Sequence, residues 1–234
     1  MRIKNHPNEN EKALFLRAQH YLKYISWIPG LKMVAVCDSL SMYATKTPEE
    51  AKKLKWTQGS DIDLFIITAP NRLWYVRVVV TIIFQLLWVR RHWDKVKDRF
   101  CLSFFITENA MDFSKISIEK DIYLFYWIYF LKPIINKDQT YEKFIKANVT
   151  MWINNLSLHW DNKAYLIKTW SYIHLLDKCR LLNFKNWVLK KIFLSKTLKH
   201  KKRLWDPVGI IVNNDMLKFH DNDRRMEIRG LIIR

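Results

Sequence analysis

The sequence predicts an α/β core with a mixed sheet, followed by a mostly helical second half. Up to about Met111, short β-branched and aromatic runs alternate with segments of helical periodicity, in the order helix, strand, helix, strand, helix, strand. After that point the apolar residues recur mainly at helical spacing. We therefore predict a first domain over residues 1–112, with an N-terminal helix, and a helical domain over residues 113–234, with a basic tail.

The elements of the first half follow from local signals. Asn8 or Asn10 can cap a first helix that runs to about Trp27, where Pro29-Gly30 stops it. Runs rich in β-branched and aromatic residues predict strands at Met33–Cys37, Asp61–Thr68 and Phe100–Thr107. Further helices are predicted at Leu40–Ala44 and from Pro70-Asn71 to about Val89, with a polar surface excursion at Thr47–Gly59.

The second half shows four segments of helical periodicity with aromatic-rich faces, Ile118–Leu131, Thr140–Leu156, Lys163–Leu182 and Phe184–Lys202. The tail, Trp205–Arg234, combines a short apolar run at Val208–Val212 with dense charge. Charged and polar residues interrupt the most apolar stretches of the chain before they reach the roughly 20 residues that a membrane-spanning helix needs. We therefore predict buried helices and no stable membrane insertion.

The net charge of the chain indicates its binding partners, and its cysteines indicate its cellular compartment. The chain of 234 residues carries a formal net charge of +18, which concentrates polyanions such as RNA, DNA, nucleotides or an anionic membrane surface. Part of this excess can instead reflect genomic base composition, because Lys outnumbers Arg and both Asn and Ile are frequent. The three cysteines are far apart, with no C-x-x-C spacing, and the N-terminus has no apolar core of a signal peptide. We predict a cytoplasmic protein.

Two aspartates at the head of the second strand, in the run GSDIDLFIIT, are the strongest candidate for chemistry. Residues i and i+2 of a strand point to the same face, so Asp61 and Asp63 are predicted to lie side by side. Two carboxylates this close repel each other, and a divalent cation with hard oxygen preference, such as Mg²⁺, removes the conflict. The alternative interpretation is a solvated strand end without a metal.

The neighbours of this pair resemble the nucleotidyltransferase superfamily with a DNA polymerase β-like fold. The matching residues are the apolar strand Val34–Cys37, Ser39 at the following helix, and the D-x-D pair Asp61 and Asp63. The chain is similar, more specifically, to small uncharacterised bacterial nucleotidyltransferase-domain proteins. Those proteins share the D-I-D-L-F-I-x-T, N-R-L-W and C-L-S-x-F runs, which start here at residues 61, 71 and 101.

This resemblance implies a nucleotidyltransferase core and a Mg²⁺-dependent (or Mn²⁺-dependent) transfer of a nucleotidyl group from an NTP to an unknown acceptor. Asp61 and Asp63 would hold the metal, and Ser39, Ser60 and Arg72 would bind the nucleotide. The alternative is a catalytically degenerate module of the same fold that binds nucleotide or RNA without turnover.

Two departures from the family pattern favour that alternative. The family's glycine before the serine is Asp38 here, which we interpret as a helix cap or a metal ligand. The family's third acid is absent from the third strand, and only Asp98 before it or Glu108 after it is available to replace it.

A basic stretch in the second half predicts an RNA or tRNA surface. It combines lysines and arginines with aromatic residues that bases can stack on, and its candidate RNA-binding residues are Lys190, Lys191, Lys199, Lys201, Lys202 and Arg203. Helical spacing also permits a simpler interpretation, in which Trp187, Ile192 and Phe193 are core and the lysines a solvated face. An amphipathic helix on an anionic membrane is a further option.

Overall fold

The computed structural model describes residues 6–45, 60–92, 95–119, 121–148, 163–169, 180–203, 209–219 and 225. This part of the chain has an α+β fold with a six-stranded mixed sheet and six helices. The helices are α1 (Glu9–Leu22), α2 (Asp38–Ser41), α3 (Leu73–Leu86), α4 (Ile122–Tyr129), α5 (Thr140–Asn148) and α6 (Arg180–Arg203). The strands are β1 (Leu31–Val36), β2 (Ile62–Thr68), β3 (Phe100–Thr107), β4 (Lys132–Asn136), β5 (Ile210–Val212) and β6 (Met216–Phe219).

The sheet has the strand order β4-β1-β2-β3-β6-β5. β2 and β3 are parallel, and α3 lies between them in the chain as the crossover connection that a parallel pair requires. The other neighbouring pairs are antiparallel. Residue 36 of β1 faces residue 64 of β2, so the end of β1 meets the beginning of β2.

Both faces of the sheet are covered, which explains why its central strands read as continuous apolar runs. Val34, Leu64 and Ile66 point to one face, where residues of α1 and α3 complete the core. Phe65 and Ile67 point to the other face, where residues of α4 and α5 pack. The period-2 alternation of the strands thus divides one sheet between two apolar clusters.

The predicted elements of the first half are confirmed, with shifts of a few residues at their ends. Asn8 caps α1 through a capping box with Glu11, as one of the two predicted caps. The carboxylate of Glu11 also accepts bonds from the backbone and hydroxyl of Thr45, which ties this helix to the segment after α2. The surface excursion predicted at Thr47–Gly59 lies outside the described residues.

The expectation of a mostly helical second half is corrected by three short strands. β4 pairs with β1, β6 pairs with β3, and β5 pairs with β6, so the boundary predicted near Asp112 does not separate strands from helices. Each strand has only three to five residues, too few for a clear periodic signal. Pro133 within β4 is tolerated because β4 is an edge strand.

The predicted helix Lys163–Leu182 is wrong over residues 163–169, which form a turn followed by an irregular segment. The ring of Tyr165 stacks on Phe15 with centroids 4.2 Å apart, and the Ile167 N–H donates to the Ile134 carbonyl at 2.9 Å. These contacts with α1 and β4 hold the segment in a non-helical path. Residues 149–156 and 170–179, the remainder of two predicted helices, lie outside the described part of the chain.

Candidate functional site

The candidate site forms where the ends of the three central strands β1, β2 and β3 meet, a place called the strand edge below. β1 ends there, and β2 and β3 both begin there because they are parallel. Asp63 is the register partner of Cys101, and the Cys37 N–H donates to the Asp63 carbonyl oxygen at 3.0 Å. This edge therefore collects the side chains that follow β1 and those at the beginnings of β2 and β3.

Asp61, Asp63 and Cys101 form a possible metal-binding group at this edge. One ligand atom from each of the three residues lies within 4.8 Å of the others, and all three residues are partly buried. The i, i+2 spacing thus places the two carboxylates together, as the sequence predicts. Ile62 and Leu64 are fully buried on the opposite face of the sheet and anchor the beginning of β2.

The surroundings of the pair disfavour two ionised carboxylates. Burial raises the pKa of Asp63 well above its usual range, and the charges of Asp61 and Asp38 raise it further. Burial also raises the pKa of Asp61, although the Arg91 guanidinium acts in the opposite direction. An additional cation at this edge would relieve the repulsion, so the electrostatics favour metal binding.

Arg91 is a member of this site that the sequence reasoning missed. Its Nη1 lies 2.8 Å from Oδ2 of Asp61 and 3.9 Å from the sulfur of Cys101. Residue 90 forms a parallel bridge with Phe100, and the Arg91 N–H donates to the Phe100 carbonyl at 2.9 Å, which directs the side chain to this edge. Burial acts to lower the pKa of Arg91, but the charge of Asp61 raises it, so the guanidinium stays protonated.

Asp38 stands where the pattern that the sequence resembles has a glycine, and its backbone adopts a conformation typical of glycine. Its φ of 55° lies in the left-handed region that favours glycine and that Asp tolerates better than most residues. Its side chain forms no cap of α2, so the interpretation as a helix cap is wrong. Instead Tyr123 donates its hydroxyl to Oδ1 of Asp38 at 2.9 Å. Burial and the Asp38 charge raise the pKa of Tyr123, which keeps it a donor.

The third member of the possible metal-binding group is the thiol of Cys101, where a third acid was expected. Among the described residues, neither acid proposed for this role joins the group. Asp98 precedes β3 at the same edge, where its N–H donates to the Ser60 carbonyl at 3.1 Å. Glu108 follows the far end of β3. Burial and the neighbouring Asp63 raise the pKa of the Cys101 thiol despite the nearby Arg91, so the thiol is neutral at pH 7.

The three predicted nucleotide ligands do not lie together. Ser39 and Ser60 are both partly exposed at the edge that holds the aspartates. Arg72 follows the opposite end of β2, a strand of seven residues that spans about 23 Å. Its guanidinium donates to the Asn71 carbonyl at 3.0 Å and to Asn183 of α6. The structure thus separates Arg72 from the aspartates and makes it a contact between α3 and α6.

The guanidinium of Arg77 contacts aromatic side chains. Its guanidinium carbon lies 4.8 Å from the ring centroid of Phe219 and 5.8 Å from that of Trp74. Burial lowers the pKa of Arg77 to about 10.

The basic stretch forms α6, a helix with nine lysines and arginines and no acid. Trp187 and Ile192 are 55 % and 54 % exposed, which corrects the interpretation of both as core, whereas Phe193 packs against the core. Phe184 stacks on Trp187 with centroids 6.0 Å apart, and the Lys191 ammonium lies 5.8 Å from the Trp187 ring centroid. This exposed aromatic pair with its lysine combines apolar rings with a positive charge on the surface of α6.

The candidate RNA-binding residues differ in their surroundings along α6. Lys190 is partly buried, and its ammonium donates to Oδ1 of Asn214 at 2.5 Å. Lys191, Lys199, Lys201 and Lys202 are exposed. The side chain of Arg203 lies outside the described part of the structure. The first half of α6 contacts Arg72 and the beginning of α3. Both lie near the end of β2 that is remote from the aspartates.

Comparisons with known proteins return no match to a family model, to a curated protein or to a solved structure. Among the described residues, no helix combines the length and hydropathy needed to cross a membrane.

Proposed function

We propose that the protein is a nucleotidyltransferase that uses Asp61 and Asp63 to hold Mg²⁺ or Mn²⁺ and transfers a nucleotidyl group from an NTP to a hydroxyl acceptor. The observation that carries the proposal is the pair of neighbouring, partly buried carboxylates at the strand edge, both with raised pKa. Their oxygen atoms fit the ligand preference of these cations, which commonly bind one or two carboxylates together with substrate phosphates. When bound, such a cation neutralises phosphate charge in the transition state.

Arg91 and the residues after β1 complete the proposed nucleotide site. Arg91 is protonated and 43 % exposed, so it can leave Asp61 and bind a phosphate of the NTP through its forked guanidinium. Ser39 lies two residues beyond Cys37 at the same edge and would donate its hydroxyl to a phosphate oxygen. These groups supply positive charge and hydrogen-bond donors around the triphosphate, which is the main protein contribution to phosphoryl-type transfer.

In the proposed reaction the acceptor oxygen forms a bond to the α-phosphorus, and the bond from this phosphorus to the bridging oxygen breaks. Pyrophosphate leaves with that electron pair. The acceptor's proton passes to Asp38, a carboxylate at this edge that stands outside the metal group and accepts a hydrogen bond from the Tyr123 hydroxyl at 2.9 Å.

RNA is the acceptor class that the charge distribution supports. α6 offers nine basic residues without an acid and an exposed Phe184–Trp187 pair on which bases can stack. Its first half lies at the end of β2 remote from the aspartates, a separation of roughly 20 Å or more. An RNA bound on α6 with its terminus at the aspartates would therefore be a folded or extended molecule of several nucleotides, and tRNA satisfies this requirement.

Binding without transfer is the second candidate function, and two observations favour it. Cys101 lies beside the aspartate pair, where the pattern that the sequence resembles has a third carboxylate. Arg91 already forms an ion pair with Asp61. In this alternative the edge recognises a nucleotide through Arg91 and a single cation, but it positions no acceptor.

The test is Mg²⁺- and Mn²⁺-dependent binding and turnover of the four labelled NTPs, with and without total cellular RNA. Wild type is compared with the Asp61→Ala/Asp63→Ala double variant and with Asp98→Asn, an acid at the same edge outside the metal group. Asp98 has a φ of 58°, a conformation that asparagine tolerates, so this control is expected to fold and to keep wild-type activity. Label transferred to RNA and lost only in the double variant supports the transferase. NTP binding without transfer supports the second candidate, and neither binding nor transfer refutes both.

A further inference from the structure

The ligand set at the strand edge is two carboxylates and a thiol, and this composition bears on which cation it selects. The inference rests on the metal-binding part of the proposed function but not on nucleotidyl transfer, and it replaces the Mg²⁺ or Mn²⁺ named there by a cation that also binds sulfur. A site of oxygen atoms alone suits Mg²⁺, which demands near-ideal octahedral geometry and gains nothing from sulfur. Cys101 lies on β3 directly opposite Asp63, so its sulfur points to the same space as the two carboxylates.

We infer that Asp61, Asp63 and Cys101 together form a mixed oxygen–sulfur site for a divalent transition cation of the zinc and cobalt class, in preference to Mg²⁺. Thiolate ligands select such cations, and three protein ligands with a fourth position open to water or substrate are the usual arrangement of a catalytic zinc site. The fourth position here would face the exposed side of the edge, from which a phosphate oxygen could enter.

The distances agree with this assignment after small side-chain rotations. Metal bonds of about 2.0–2.3 Å at tetrahedral angles place two ligand atoms roughly 3.5 Å apart. The three ligand atoms here lie within 4.8 Å of one another, so shifts of about 1 Å bring them to bonding distance of one cation. No strand has to move, because all three residues project from the beginnings of two adjacent, hydrogen-bonded strands.

Arg91 gives an independent indication that a cation belongs between oxygen and sulfur. Its Nη1 already lies between Oδ2 of Asp61, at 2.8 Å, and the Cys101 sulfur, at 3.9 Å. The guanidinium is 43 % exposed and can turn outward when a metal binds. Metal binding then forms a metal–sulfur bond, and the thiol proton passes to the buffer.

The test is titration of the reduced protein with Co²⁺ under anaerobic conditions, because cobalt bound to a thiolate shows a sulfur-to-metal charge-transfer band. We expect this band to appear at one equivalent, to disappear when Zn²⁺ is added, and to persist in a large excess of Mg²⁺. Cys101→Ser should lose the band and bind Zn²⁺ at least about tenfold more weakly. Cys37→Ser and Cys179→Ser, which remove the other two thiols of the chain, should retain both properties.

Circular dichroism at increasing temperature checks that each variant is folded. The inference is overturned if cobalt binds without the band, if the band survives in Cys101→Ser, or if Mg²⁺ displaces cobalt at comparable concentration. In those cases NTP binding with Mg²⁺ can still succeed, and the proposed function stands with Mg²⁺ or Mn²⁺. If neither Co²⁺, Zn²⁺, Mn²⁺ nor Mg²⁺ binds, the metal-binding part of both proposals fails.

Discussion

Replacing Asp63 by asparagine should make the protein more stable at neutral pH while it abolishes metal binding. Asp63 sits beside Asp61 with ligand atoms within 4.8 Å, and two unit charges at that distance repel by about 3 kcal/mol at an effective dielectric constant of about 20. The ion pair of Asp61 with Arg91 offsets part of this repulsion. We therefore expect Asp63→Asn to raise the free energy of unfolding by about 1–3 kcal/mol and the Tm by about 2–10 °C.

The pH dependence of this gain follows from the raised pKa of Asp63. The folded protein retains this proton at pH values where the unfolded chain, with a pKa of about 3.9, has lost it. The contribution of Asp63 to stability is therefore fully present below about pH 4 and is lost as pH rises through the folded-state pKa. The variant lacks this loss, so its advantage should be small at pH 4 and larger at pH 8.

Urea denaturation of both proteins at pH 4 and pH 8, without added metal, measures the difference. Asp61→Asn is the matched comparison, and it should gain less because it also leaves Arg91 without its carboxylate. Mg²⁺ or Zn²⁺ should stabilise wild type but not Asp63→Asn. A variant no more stable than wild type at pH 8 would refute the argument that the pair is electrostatically strained.

Three further outcomes are expected. Arg91→Ala should tighten Mn²⁺ binding by up to about fivefold in calorimetry, because the metal then no longer has to break an ion pair worth about 1 kcal/mol. Weaker binding in the variant would show that Arg91 supports the metal site. Gly30→Ala should lower the free energy of unfolding by about 1–3 kcal/mol, because its φ of 80° disfavours alanine and the added Cβ would lie 2.6 Å from Cγ of Arg72. An unchanged midpoint of urea denaturation would contradict this close approach. Trp187→Ala should weaken binding of single-stranded RNA by about 1–3 kcal/mol in a filter assay. The control is Trp27→Ala, at a tryptophan of equal exposure in the turn after α1, and it should leave binding unchanged. Equal losses in the two variants would indicate non-specific stacking.

The central strands and helices could be predicted from the sequence because their signals are local. β1, β2 and β3 are buried on both faces and therefore read as near-continuous apolar runs, and Asn8 marks the beginning of α1. The position of the aspartate pair followed from the period of a strand alone. β4, β5 and β6 were missed or left unassigned because segments this short become strands only by pairing with distant partners.

The rest of the site depends on contacts that no sequence window contains. Arg91 reaches Asp61 because the chain before β3 runs beside Phe100, a long-range arrangement without a local signal. Cys101 was not predicted as a ligand because the pattern that the sequence resembles has an acid on the third strand. The register of β2 and β3 places Cys101 opposite Asp63. Tyr123 approaches Asp38 only once α4 packs on the sheet, although they stand far apart in sequence.

The strand order has a consequence for how the chain is made. β1, β2 and β3 leave the ribosome first, yet their outer neighbours β4 and β6 come from residues 132–136 and 216–219. Until those residues emerge, β1 and β3 each present an open edge on an apolar sheet, which is the feature that recruits other strands and promotes aggregation. The nascent chain therefore completes its sheet only after residue 219 has emerged, and termination before that residue leaves an aggregation-prone fragment.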